Sequence, residues 1–295
     1  MFEEITLADR AKIEAFFRCR RYEGSECTFT NLFMWRDCYK IRRAFDEHAL
    51  YVMAEREGEP FFLAPFVDET SYLPVAVKKL IEVAEFVGAK NQFRGVYAEI
   101  KQEIEAAFPG KFTFTADREN FDYMYLTENM INLSGRKLHG KKNHLNAFKR
   151  EFPNHQYYPL TQEWVEPCLA FAAKWCEGRP DKNDPSLQCE QCAIKHVLTN
   201  LDKLPIKGGV LVVNGQVEAF SFGEFINEDT VLIHVEKANP EIRGLYAAIN
   251  QQCCEHAWPD SKFVNREEDM GLEGLRRAKE SYQPAYLLEK FVAAW

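Results

Sequence analysis

Long hydrophobic runs are missing from this chain of 295 residues: no uninterrupted apolar segment is long enough to span a bilayer, so no transmembrane segment is expected. The opening stretch, MFEEITLADR, has neither a basic end nor an apolar core, so no signal peptide is expected either. Net positive charge is also lacking, and a formal charge of −8 argues against bulk nucleic-acid binding. There is no Walker loop, Rossmann glycine fingerprint, Ser-His-Asp order or His-x-x-x-His pair, which removes the usual signatures of nucleotide binding, serine hydrolysis and zinc hydrolysis. Low-complexity segments are absent. Nine cysteines fall at irregular spacing and, without export, read as reduced thiols, with a cytoplasmic location expected. Cys189, Cys192 and His196 approach a zinc pattern, with Cys253, Cys254 and His256 as imaginable partners. Their i, i+3, i+7 spacing fits a helix face equally well and nothing fixes a fourth ligand, so no metal is expected.

What is present is a well-filled globular composition, long enough for one large domain or two medium ones. One stretch stands out: residues 262–284, KFVNREEDMGLEGLRRAKESYQP. A short apolar strand signal breaks there into Asn265-Arg266-Glu267-Glu268-Asp269, then Gly271 and a basic helix ending at Tyr282. Dense alternating charge where a strand meets a helix seldom serves packing alone. A second charged feature lies mid-chain, where Arg136, Lys137, Lys141, Lys142, Lys149 and Arg150 concentrate positive charge. It suits a phosphate-bearing partner or a solvated helix face, and spacing does not decide between them.

The clearest element order is in the second half. Asn214-Gly215 supplies the positive φ angles of a two-residue turn, which predicts a hairpin over 210–224. Residues 230–237 alternate, which would put Val231, Ile233 and Val235 on one face and Leu232, His234 and Glu236 on the other. A helix over 245–257, a strand at 262–264, a helix over 272–281 and a strand at 286–292 follow. The first half repeats this order more loosely: strands at 39–45, 50–55 and 61–66, a helix over 73–87, a strand at 93–98, a helix over 100–108 and a strand at 111–116. Two copies of one mixed α/β unit are the economical reading. Residues 178–186, GRPDKNDPS, read as a loop-like insertion.

Three antiparallel strands followed by a loop, a helix and a further strand resemble the GNAT N-acyltransferase fold. That fold sets the cofactor pyrophosphate on the free N–H groups of the helix after the central strand. Here the corresponding loop is 239–245, with Arg243 and Gly244. The fold also carries an Asn after the next strand and an Ala-x-x-x-Tyr, and this chain has Asn265 and Ala278-Lys-Glu-Ser-Tyr282. It departs from the pattern where Glu241 replaces the Gln/Arg before Gly244 and Tyr246 replaces a small residue. A narrower resemblance covers almost the whole chain. FTNLFMWR, FDYMYL, LSGRKLHGKKNHLNAF, HVEKAN and NREEDMGLEGLRRAKESY are similar to a bacterial family of unknown function grouped with the phosphatidylglycerol lysyltransferase C-terminal domain. The resemblance implies an α/β (α+β) chain of two tandem GNAT-like mixed-sheet domains with flanking helices, akin to the Fem-type transferases that use aminoacyl-tRNA.

The expected domains are 1–130, a GNAT-like unit expected to be non-catalytic because residues 67–71 are acidic and lack glycine, a poor phosphate cradle; a basic linking segment, 131–155; and 156–295, a GNAT-like unit expected to carry the chemistry. Acyl transfer needs a base, oxyanion donors and an acid for the leaving group. His234 or Glu236 is the expected base, unless the pair merely forms the sheet's polar face. Tyr282 is the expected acid toward a thiolate or a ribose hydroxyl, and Asn265, matching the Asn of the GNAT pattern, is a further catalytic candidate. Arg266, Glu267, Glu268 and Asp269 either bind an amino acid or cap a helix, where carboxylates are favoured. Lys237, Lys141, Lys142 and Asn143 are further substrate-binding candidates, and Arg243, Gly244 and Tyr246 are the cofactor-loop candidates. The expected function is N-acyl or aminoacyl transfer from acyl-CoA or aminoacyl-tRNA to an amine or hydroxyl acceptor, with no tightly bound cofactor. The alternative is a non-catalytic protein binding a small anionic or zwitterionic metabolite in an inter-domain cleft. The sequence leaves the oligomeric state open.

Overall fold

The computed structural model describes residues 2–56, 58–180 and 182–295. The first half runs β1 (Glu3–Glu4), α1 (Arg10–Arg18), α2 (Phe29–Met34), β2 (Arg42–Phe45), β3 (Ala49–Arg56), β4 (Glu59–Leu63), β5 (Phe66–Val67), α3 (Leu73–Val87), β6 (Gln92–Tyr97), α4 (Ala98–Ala107) and β7 (Thr113–Ala116). There follow β8 (Asp122–Leu126), α5 (Thr127–Asn132), α6 (His139–Glu151), β9 (Gln156–Pro159), α7 (Val165–Glu177), α8 (Pro185–Leu198), β10 (Lys207–Val213) and β11 (Gln216–Phe225). The chain ends with β12 (Thr230–Ala238), α9 (Leu245–Ala257), β13 (Phe263–Asn265), α10 (Glu273–Glu280), β14 (Tyr286–Leu288) and β15 (Lys290–Ala294). Asp181, inside the loop expected over 178–186, lies outside the described residues.

Two mixed sheets result. One is ordered β1-β2-β3-β4-β6-β15-β7, with β5 against β3; the other is ordered β14-β8-β13-β12-β11-β10-β9. In each, three antiparallel strands lead through a helix (α3 or α9) to a fourth strand that pairs parallel with the third, β4 with β6 and β12 with β13. The repeat expected from the sequence is therefore the order observed. The chain forms two compact units, Met1–Asp122 with Leu288–Trp295, and Tyr123–Leu287.

These units differ from the division at 130 and 155. Strand β8 follows β7 in the chain but pairs with β13 of the other sheet, and β15 follows β14 but lies between β6 and β7. The two halves thus exchange one strand each. The segment 131–155, expected as a linker, supplies α6 to the second unit, where Leu145 and Phe148 join the core. Strand character is a local property of residues 122–126 and 290–294, whereas the choice of sheet is not.

In the second unit α9 crosses one face of the sheet and buries Leu245, Ala248, Ile249, Cys253 and Cys254 against Leu211, Val213, Val231, Ile233 and Val264. On the other face α7 sets Phe171 edge-on to Phe220, 6.1 Å between ring centroids. The β10–β11 turn has Asn214 at φ 52° and Gly215 at φ 80°, as the Asn-Gly pair predicts.

One register shift matters for the site. Phe222 pairs with Val235, but Gly223 pairs with Ile233, so His234 is an extra residue in β12. A bulge of this kind reverses the in–out phase beyond it. Val231 and Ile233 face α9 before it, and Glu236 and Ala238 do so after it. The alternation expected from the sequence, with His234 and Glu236 on one face, is therefore corrected: they lie in different networks.

Candidate functional site

Strands β12 and β13 pair only at Thr230–Phe263, Val231–Val264 and Leu232–Asn265. Beyond this point β13 turns toward β8, with Arg266 N donating to Tyr123 O (3.0 Å) and Tyr123 N to Glu267 O (3.1 Å). Strand β12 runs on beside β11 to Ala238. Where the strands part, Glu236 and Arg266 bridge the gap: Arg266 Nη2 donates to Glu236 Oε1 at 2.9 Å, and Asn250 Nδ2 on α9 donates to Oε2 at 2.8 Å. Both side chains of the ion pair are largely buried.

Aromatic rings enclose the guanidinium. Its carbon lies 4.8 Å from the Tyr282 ring centroid and 5.7 Å from that of Tyr125, and the two rings meet edge to face. Arg266 Nη1 has no hydrogen-bond partner among the described residues, so the π faces carry part of its compensation. Lys141, on α6, completes the group with Nζ 4.1 Å from the Tyr282 centroid. Burial raises the Tyr282 hydroxyl well above the usual phenol range, against the opposing pull of Arg266. Burial likewise pushes the neighbouring Cys254 thiol up to about 12, which removes it as a thiolate nucleophile at neutral pH.

The charged stretch that follows β13 divides into different roles. Asn265, fully buried, accepts from Glu267 N (2.7 Å) and holds Glu267 at φ 56°, a left-handed conformation that non-glycine residues seldom adopt. Lys279 Nζ ties the same turn by donating to the carbonyls of Arg266 and Glu268, and Tyr125 Oη donates to Lys279 O. Asp269 is fully buried and accepts from Tyr123 Oη (2.7 Å), from Gly271 N (2.9 Å) and from Arg276 through two nitrogens (2.9 and 3.0 Å). Its bonds hold the loop, leaving Arg266 as the member of this quartet that enters the opening. Glu268 is half-buried in the same loop.

His234 occupies the bulge with its side chain fully buried. Nε2 lies 2.8 Å from Glu224 Oε1, and Nδ1 lies 3.5 Å from Glu267 Oε1. Burial alone would lower its pKa, but the two glutamates outweigh it and raise it to about 9. An imidazolium held this way at neutral pH cannot accept a proton, so the expected role of His234 as base is not the one its surroundings support. A pH dependence follows. Because the folded pKa exceeds the unfolded value, the stabilisation is complete below about pH 6.5 and is lost as pH rises through about 9. The span corresponds to roughly 3 kcal/mol. Urea midpoints measured across this interval should fall for the native chain, and His234→Gln should flatten the decline.

The remaining candidates are distributed as follows. Lys237 points to the opposite face of the sheet, where Nζ meets Glu190 Oε2 at 2.6 Å and the Trp175 ring at 3.6 Å. It does not join Arg266. Lys142 and Asn143 are exposed on α6, with Asn143 bonding His139. Arg243 and Tyr246 are exposed at the start of α9. Gly244 has φ 84°, and a Cβ there would lie 2.1 Å from His144 O. Close passage of α6 therefore requires glycine at this position, whatever ligand the loop meets. Sequence reasoning missed Asn250, Tyr125 and Lys279. Asn250 had a usable signal: it begins a run of three amides, Asn-Gln-Gln, within an otherwise apolar helix stripe.

Among the described residues no helix is long and apolar enough to cross a membrane, and no group of three or more His, Cys, Asp or Glu could hold a metal ion. The chain is similar over 99% of its length to 98% of a conserved protein of unknown function from Bacteroides thetaiotaomicron, at 36% identity and a TM-score of 0.93. It shares its fold with L-PGS from Bacillus licheniformis (15% identity, 97% of this chain and 91% of that one, TM-score 0.67). A tandem GNAT protein from the clavulanic acid biosynthesis pathway matches more distantly (8% identity, 100% and 98%, TM-score 0.52). An uncharacterised protein of Mycoplasmoides gallisepticum aligns at 22% identity over 173 residues, so the match spans 55% of that relative's length. Two tandem GNAT-like units are thus the architecture, and family and fold together suggest acyltransferase-type function. With residues 17–294 matching its model, the chain belongs to the phosphatidylglycerol lysyltransferase C-terminal family.

Proposed function

We propose that the second unit transfers an aminoacyl group from aminoacyl-tRNA to an amine or hydroxyl acceptor at the opening between β12 and β13. The observation that carries this reading is the buried Glu236–Arg266 pair beneath Tyr282, whose hydroxyl makes no hydrogen bond among the described residues. Arg266 supplies fixed positive charge for the oxyanion that develops when the ester carbonyl is attacked. Glu236, with one oxygen on Arg266 and the other on Asn250, positions that charge. Tyr282 gives its proton to the leaving oxygen.

The acidity of Tyr282 favours an ester donor over a thioester. A thiolate with a pKa of about 8.5 is a poor base toward a phenol raised well above its ordinary range, whereas a ribose alkoxide is a strong one. The loop at 239–245 supports the same choice, because Glu241 and Tyr246 replace the residues that favour CoA and Gly244 is taken up by packing on α6. Helix α6 carries Lys141, Lys142, Lys149 and Arg150 against Glu151 alone, a local basic strip suited to phosphates on a chain that is otherwise acidic. A thermal-shift comparison tests the donor. Charged tRNA should raise the melting temperature, and CoA thioesters should leave it unchanged. A shift with CoA thioesters alone would transfer the reading to an acyl-CoA donor, and a shift with a free metabolite alone would favour a binding protein.

A further inference from the structure

The opening between β12 and β13 carries more positive than negative charge. Arg266 and Lys141 both approach the Tyr282 ring, the guanidinium carbon 4.8 Å and the lysine Nζ 4.1 Å from its centroid. Glu236 is the carboxylate beside them, and its two oxygens are engaged by Arg266 and Asn250. Lys141 makes no ion pair of its own among the described residues, so the ring face compensates its charge. Helix α6 brings it there. Leu145 and Phe148 are buried four and seven residues beyond Lys141 on one stripe, which carries the amine inward while Lys142 stays exposed. A cation gains from such a contact, and a neutral amine gains little. Burial and the like charge of Arg266 act against the ammonium, and Glu236 acts for it. Tyr125 of β8 meets the ring edge to face with its own phenol raised by burial, and burial pushes the Cys254 thiol of α9 up to about 12. Neither supplies negative charge at neutral pH. A Tyr282 phenolate would supply it.

We infer that the Lys141 ammonium stabilises the phenolate formed when Tyr282 protonates the leaving oxygen, and is thus a positioning residue that makes Tyr282 a usable acid. This rests on the transferase reading given above. The lone pair of a neutral amine or hydroxyl acceptor bonds to the ester carbonyl carbon, and the attacking atom keeps its proton. The bond from that carbon to the ribose oxygen then breaks, and the oxygen takes the Tyr282 proton. The phenolate, with Lys141 and Arg266 against its ring, takes the proton from the newly bonded nitrogen or oxygen and becomes a phenol again. Protons balance without a further base. The two cations act selectively, because a phenolate ring is far more negative than a phenol ring. They lower the cost of the charge that develops in the transition state while adding little to the resting group. That selectivity answers the burial which raises the Tyr282 hydroxyl.

Two measurements on the full chain test the role. Replacing Tyr282 with difluorotyrosine supplies a phenol that ionises far below tyrosine, and fluorine NMR reads its ionisation at that position alone. Lys141→Met keeps the apolar stem and removes the charge, so the fluorine titration should move up by about one unit or more. Lys141→Arg returns a cation to the ring and should keep the titration within about half a unit of the native chain. In turnover with charged tRNA and the natural tyrosine, one unit of phenol acidity is worth a factor of about ten. Lys141→Met should therefore lower kcat about tenfold or more with KM within about threefold, and Lys141→Arg should recover most of the loss. A fluorine titration unmoved in folded Lys141→Met would overturn the role of Lys141 while leaving the transferase reading intact. Equal shifts in Lys141→Met and Lys141→Arg would overturn it too, since packing rather than charge would then set the acidity. Absence of turnover in the native chain would overturn the transferase reading and this role with it.

Discussion

Glu236→Leu is expected to cost about 3–5 kcal/mol of stability, because it leaves the Arg266 guanidinium buried without its carboxylate. The enclosure makes this loss larger than that of an exposed pair. Arg266 already has one nitrogen without a hydrogen-bond partner among the described residues, and the Tyr125 and Tyr282 rings pack around its guanidinium. Removing Glu236 also strips Asn250 Nδ2 of its acceptor. The double variant Glu236→Leu/Arg266→Met should recover much of the loss, since two apolar side chains of similar volume need no compensating charge. Urea denaturation of the native chain, both single variants and the double variant gives the coupling energy. A coupling below about 1 kcal/mol would mean that the pair behaves as a solvated surface bridge.

Tyr282→Phe should act in the opposite way, with a large effect on turnover and a small one on folding. The hydroxyl makes no hydrogen bond among the described residues, and the ring contacts to Arg266, Lys141 and Tyr125 survive in phenylalanine. Stability should therefore change by no more than about 0.5 kcal/mol. Loss of the acid should lower transfer by roughly 10²–10⁴-fold. Single-turnover rates with charged tRNA, alongside urea midpoints, separate the two effects. A variant that unfolds more readily and loses activity in proportion would make Tyr282 a packing residue.

Much of this arrangement can be read from the chain before folding. Asn214-Gly215 identifies the hairpin, and the apolar period of residues 245–257 identifies α9, because turn angles and helix faces depend on near neighbours. The charged stretch after Phe263 marks the right region. Its division is not legible, because the partners that occupy Asp269 are Tyr123, far off in sequence, and Arg276, seven residues on. The bulge at His234 has no signature of its own: one additional residue leaves the alternation looking unbroken while reversing every side chain beyond it. Strand exchange is hidden for a related reason. Residues 122–126 and 290–294 have ordinary strand character, and their sheet is chosen by pairing energies that involve the whole chain.

The central claim is that an ester-linked aminoacyl group reacts at the opening between β12 and β13. The most direct measurement supplies the full chain with a pool of tRNA charged with labelled amino acids, acetyl-CoA in parallel, and a panel of amine and hydroxyl acceptors. The native chain should move label from tRNA into acceptor-linked product and leave acetyl-CoA intact, and Tyr282→Phe should lose that transfer by at least about 100-fold. Consumption of acetyl-CoA with charged tRNA untouched, or consumption of neither donor, would contradict the account.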